Sequence, residues 1–101
     1  MKAEQGELLN IAGIADPVIV VSNNFFNEED MVVICPVVNK ATEGALHIRL
    51  NHHQVEGVVL CEQMKVIDLR ARRFSKLGIA EYHDVLNIAD AVMGIFDYQV
   101  F

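Results

Sequence analysis

The chain has 101 residues, enough for one domain with a single core and small enough that a second subunit helps bury apolar surface. Its residues are 52% hydrophobic, yet no run approaches a bilayer span, and the polar start through Glu7 lacks a signal-peptide block, so a soluble cytoplasmic protein with no membrane segment is expected. A net charge of −6 disfavours long-range attraction of nucleic acid, so any such contact needs a local basic patch.

Gly6 to Ile11 reads as a first strand, with Leu8 and Asn10 on one face and Leu9 and Ile11 on the other. Residues 12–15 are a short connection. Asp16-Pro17 opens a buried strand through Val21, with proline tolerated at a strand start. Ser22-Asn23-Asn24 ends it, because Asn takes turn conformations readily. Phe25-Phe26 anchors a turn tipped by Glu28-Glu29-Asp30, and the two rings are expected in the core or at a subunit contact. Met31 to Val38 is the third strand. A polar loop, residues 39–44, leads to Leu46, Ile48 and Leu50 alternating with His47 and Arg49, the pattern of a half-buried strand. Residues 51–56 form another polar loop, where the adjacent His52-His53 are a poor ligand pair and are expected in solvent.

Val58 to Cys61 is short, β-branched and continuous, as a strand buried on both faces is. Cys35 and Cys61 both lie within apolar runs and read as small buried hydrophobes rather than a disulfide. Neither Cys-x-x-Cys nor His-x-x-x-His spacing occurs, so no zinc site is expected. Glu62-Gln63 interrupts the apolar pattern. A further strand follows, with Met64, Val66 and Asp68 on one face and Lys65, Ile67 and Leu69 on the other. Lys65, Arg70, Arg72, Arg73 and Lys76 are five of the chain's eight Lys and Arg residues and give residues 62–76 a local charge of +3 against Glu62 and Asp68. Such a patch suits phosphate, and it reads equally as a solvated turn before a helix. In that helix Val85, Ile88, Ala89, Val92 and Phe96 share a face that Leu86 and Met93 widen, with Glu81 and Asp84 near the positive end of its dipole. The apolar tail, residues 96–101, is expected to pack on the sheet or on a second subunit. Five or six short strands and one terminal helix describe a small, strongly bent antiparallel barrel, with no repeat or linker dividing residues 1–101.

Glu62-Gln63-Met64-Lys65-Val66-Ile67-Asp68-Leu69-Arg70-Ala71-Arg72, following Val58-Val59-Leu60, resembles the MazF/PemK toxins of bacterial toxin–antitoxin pairs. Gly6-Glu7-Leu8-Leu9, Asp16-Pro17-Val18-Ile19-Val20-Val21-Ser22-Asn23, Val33-Ile34-Cys35-Pro36-Val37 and the single C-terminal helix extend the resemblance, in order, over most of the chain. It implies a mainly β fold with one C-terminal helix, the small SH3-like antiparallel barrel shared by CcdB, MazF and PemK toxins. It also implies a homodimer with a cognate antitoxin.

The resemblance further implies a type II toxin that cleaves single-stranded RNA with no metal or cofactor. There the ribose 2′-hydroxyl attacks the neighbouring phosphate, so the site removes a proton, stabilises a dianionic phosphorane and protonates the leaving oxygen. The family's Arg before the Pro-Val-x-Val strand and its Thr or Ser ending the third strand fall on Asp16 and Val38, one of the wrong charge and one without a hydroxyl. Lys40 and Thr42 are the candidate catalytic replacements if their loop folds back. Gln63, Lys65, Arg70, Arg72 and Arg73 are the candidate RNA-binding residues. The CcdB branch, which traps DNA gyrase, ends its last helix in Trp-Gly-Ile; Met93-Gly94-Ile95 lies in a similar place, but this chain has no tryptophan. Two classes stay open: an altered RNA-cleaving site, or a barrel that has lost catalysis and grips a protein.

Overall fold

The computed structural model describes residues 2–97. Seven strands and one helix follow in order: β1 Glu7–Ile11, β2 Val18–Val20, β3 Met31–Val38, β4 His47–Asn51, β5 Glu56–Leu60, β6 Lys65–Asp68, β7 Phe74–Ile79 and α1 Tyr82–Gly94. All pairings are antiparallel, in the order β4-β5-β3-β2-β1-β7, with β6 also on β3.

β3 is the spine. One edge carries β2, with Val18 opposite Pro36 and Val20 opposite Ile34. Its other edge is shared: β6 takes Met31 to Ile34, and β5 takes Val37 and Val38. Between them the chain leaves the edge in a 3-10 turn, Cys61–Gln63. This break explains a proline inside a central strand. The Val37 N–H donates to the Pro17 carbonyl on the β2 side. Neighbouring residues of a strand point their N–H groups to opposite edges, so the donor that Pro36 lacks would have faced the gap between β5 and β6. Gly57 allows the close approach of β5 and β3 at the end of their pairing away from the gap, where a Cβ would lie 2.5 Å from the Val38 carbonyl oxygen.

Alternation along β3 divides the core in two. Cys35 and Val37 join Leu8, Ile19, Leu50, Val59 and Cys61 beneath α1, which contributes the fully buried Ile88. Ile34 and Val32 join Leu9, Ile11, Val18, Val20, Ile67 and Leu69 on the opposite face. The sheet curls until the β4–β5 loop meets β7. Gly78, at φ +154°, accommodates the His52 ring, which a Cβ there would meet at 2.6 Å. The two ends of the strand path thus approach without pairing, and the barrel is open at that seam.

Several details depart from the sequence-based expectations. β7 was expected as part of the turn before the helix; it is a strand on β1, and its register shifts where Leu77 is left over between Gly78 and Lys76. That extra residue breaks the two-residue alternation that marks a strand. Cys61 opens the 3-10 turn instead of ending β5. On β6 only Ile67 is buried, and Val66 is exposed. Phe25 is 84% exposed and Phe26 is exposed too, so neither belongs to this chain's core. Leu86, Met93 and Phe96 are exposed as well, because α1 buries only the narrower face of Val85, Ile88, Ala91 and Val92. His52 and His53 stack at 4.3 Å, and His52 is half-buried on Gly78 rather than in solvent. Of the tail, residues 98–101 lie outside the described residues.

Candidate functional site

The β3–β4 loop folds back onto the strand it leads into. Gly44 and His47 exchange backbone hydrogen bonds of 3.1 and 3.2 Å, turning the chain tightly into β4. The Thr42 carbonyl lies 2.9 Å from His47 Nδ1, and the Glu43 carboxylate accepts from Arg49 Nε at 2.8 Å. On the far side of the imidazole, Nε2 lies 3.0 and 3.1 Å from the two carboxylate oxygens of Glu62. Glu62 sits in the 3-10 turn beside Gln63, and α1 packs behind both that turn and β4.

Both ring nitrogens therefore face acceptors, an arrangement that the doubly protonated imidazolium satisfies. The hydrogen bond to Glu62, then the one to the Thr42 carbonyl, raises the His47 pKa. The same bond to His47 lowers that of Glu62. Beneath the turn, burial, with the Glu62 charge adding to it, raises the Cys61 thiol to about 11.

Register places this cluster relative to Asp16 and Val38. Val18 faces Pro36, so continuing two residues on sets Asp16 across from Val38. Val38 pairs with Val58, and Val58 pairs with Arg49. Asp16, Val38, Val58 and Arg49 thus form one row on one face, with His47 two residues along β4 from Arg49. The nearest guanidinium to Val38 along that row comes from β4, two strand spacings or roughly 10 Å away at the backbone.

The structure splits the predicted site residues into two groups. Thr42 and Gln63 are exposed beside the His47–Glu62 pair, Lys40 is exposed in the loop just past β3, and Lys65 is exposed at the near end of β6. Arg70, Arg72 and Arg73 lie past the other end of β6, roughly 13 Å along it. There they line an open groove of about 450 Å³ with Asp30, Leu69 and Phe74. Arg70 is committed to Asp68 through two 3.0 Å bonds, which hold the carboxyl below its ordinary range. Arg72 donates to the Ala12 carbonyl at 3.3 Å, and Lys76 pairs with Glu7 at 3.1 Å. The patch is thus less positive than its composition suggests. Missed from sequence were His47 and Arg49; Glu62 was marked with Gln63 as a polar break in the apolar pattern, but not as a site residue. Alternation marked His47 and Arg49 as a polar face, but nothing local in the chain linked His47 to Glu62.

Residues 11–96 match the family model described as PemK-like, MazF-like toxin of type II toxin–antitoxin system. The chain belongs to this family. The fold of these toxins is also that of solved structures. MazF in the MazE–MazF crystal structure from Deinococcus radiodurans superposes with a TM-score of 0.85 at 23% identity, covering 95% of this chain and 97% of that one. An endoribonuclease in complex with its cognate antitoxin from a Mycobacterial species gives 0.78 at 16% identity, over 93% and 94%. Mycobacterium tuberculosis toxin MazF-mt6 gives 0.69 at 15% identity, over 95% and 100%. No curated protein matches this sequence. Among the described residues no helix is long and apolar enough to cross a membrane, and no group of three or more His, Cys, Asp or Glu is placed to hold a metal ion.

Proposed function

We propose that this single-domain MazF/PemK-like chain is the growth-inhibiting toxin of a type II pair and cleaves single-stranded RNA in the cytoplasm without a metal or cofactor. The observation that carries this reading is the family match over residues 11–96. The folded-back loop supports it, because the Thr42 carbonyl meets His47, which lies two residues along β4 from the row of strand residues that carries Val38. In this reading Lys40 offsets charge on the phosphorane and the Thr42 hydroxyl donates to a non-bridging oxygen. Gln63 and Lys65 hold the neighbouring nucleotides, while Arg70, Arg72 and Arg73 bind phosphates further along the strand.

A homodimer fits the apolar stripe of Tyr82, Leu86 and Met93, which α1 leaves exposed. The D. radiodurans and Mycobacterial relatives are seen with antitoxins, and a cognate antitoxin is the expected partner here. The test is a fluorogenic single-stranded RNA assay in EDTA on the native chain and on Lys40→Ala, with growth scored on expression. Cleavage that falls with Lys40→Ala supports the reading.

Asp16 and Val38, at the positions where the family's Arg and Thr belong, favour a second one: a toxin fold that works by gripping a protein, as CcdB does gyrase. No cleavage by the native chain, with cleavage gained in Asp16→Arg/Val38→Thr, selects it.

A further inference from the structure

We propose that His47 and Glu62 form the acid–base pair of an RNA-cleaving site rebuilt two strands away from the positions of Asp16 and Val38. The proposal rests on the ribonuclease reading above and supplies the proton transfers that Lys40 and Thr42 do not. Neither lysine nor threonine is a base at neutral pH, and Asp16 stands alone on its side of the row. Glu62 and His47 differ. Their contacts favour opposite protonation states, a carboxylate able to accept and an imidazolium able to donate, 3.0 Å apart. The Thr42 carbonyl occupies Nδ1, so Nε2 is the nitrogen that acts. Side chains 32% and 39% exposed leave the pair open to a strand of RNA.

The reaction balances within the pair. Glu62 takes the proton of the 2′-hydroxyl as the O2′–P bond forms. The P–O5′ bond breaks, and O5′ takes the proton of His47 Nε2. The products are a 2′,3′-cyclic phosphate and a 5′-hydroxyl. Glu62 then returns its proton to Nε2 across their own hydrogen bond, restoring both groups. Entering and leaving oxygens are apical on opposite sides of the phosphorus, so the bond between Glu62 and His47 Nε2 opens as the phosphate enters and re-forms once the products leave.

Charged and titratable neighbours of the pair come from its own strand, loop and turn. Arg49, held by Glu43, is two residues along β4; Lys40 is in the loop; the Cys61 thiol lies beneath. None is a carboxylate free to replace Glu62.

The test uses the full chain in EDTA on single-stranded RNA of mixed sequence, from pH 4 to 9. Native, Glu62→Gln, His47→Gln and the double variant are compared, with thermal unfolding confirming the fold. The native chain is expected to give a bell-shaped rate profile ending in cyclic phosphate. Each single variant should lose about 10²–10⁴-fold. Glu62→Gln should lose the acid limb and His47→Gln the alkaline limb. The double variant should fall no further than the worse single, as groups acting as a unit do. If only one variant folds, its missing limb decides. Native cleavage with both limbs intact in the folded variants overturns the pair and leaves the ribonuclease reading standing. A native chain that cleaves no RNA overturns both.

Discussion

His47 and Glu62 hold each other in their charged forms only over a bounded range of pH. The histidine's raised pKa adds stability that is complete below its ordinary 6.5 and is lost as pH rises through the raised value. The carboxylate's lowered pKa adds stability that is complete above its ordinary 4.5 and is lost as pH falls through the lowered value. Thermal midpoints of native protein should therefore exceed those of His47→Gln most between pH 4.5 and 6.5, with the gap narrowing on both sides. A gap independent of pH would remove the ion pair as its cause. The cysteines carry a separate expectation. Burial raises Cys35 to about 12, so at pH 7 only about one thiol in 10⁵ is ionised. Iodoacetamide should leave both cysteines untouched in native protein and label both in guanidinium. Rapid native labelling would contradict their burial.

Between α1 and the sheet the contact is narrow, and Ile88 is the one helix residue wholly inside it. Ile88→Ala should cost about 2–5 kcal/mol, read from urea unfolding, because the cavity lies against β-strands that cannot follow the lost side chain. Gly57→Ala should cost about 1–3 kcal/mol by forcing β5 away from the Val38 carbonyl. Six of the seven strands and the helix were legible, since their apolar periodicity also decides which face is buried. β7 was not, because its glycine, serine and lysine sit on a bulged strand whose partner, β1, lies at the far end of the sequence. The cluster around His47 was half legible for a related reason. Glu62 and Gln63 drew notice as a polar break in an apolar run, and Thr42 as a stand-in for the family's missing hydroxyl if its loop folds back. The His47–Glu62 contact depends on the register of β4 on β5 and on a 3-10 turn, and neither leaves a mark in composition. The cations were overcounted, since Asp68 and Glu7 had to be in place before Arg70 and Lys76 could be seen as engaged.

Tyr82, Leu86 and Met93, at four- and seven-residue spacings on α1, leave a large apolar stripe near Phe26. Stripes of this kind are usually covered by another chain. The native protein is expected to sediment as a dimer at tens of micromolar, and Leu86→Glu to sediment as a monomer with its thermal midpoint lowered. A native monomer, or an unaltered dimer in Leu86→Glu, would place any interface elsewhere.

The pairing of β1 with β7 also sets a clock. Leu8 and Leu9 are fully buried, and one edge of their strand is satisfied only by residues 74–79. During synthesis, at roughly 5–20 residues per second, β1 emerges first and waits for nearly the whole chain before that edge can close. Contacts so distant in sequence are slow to form even in the finished chain. A nascent molecule of this protein therefore has no shorter version of its fold to rest in. Its sheet is completed late, when β7 arrives.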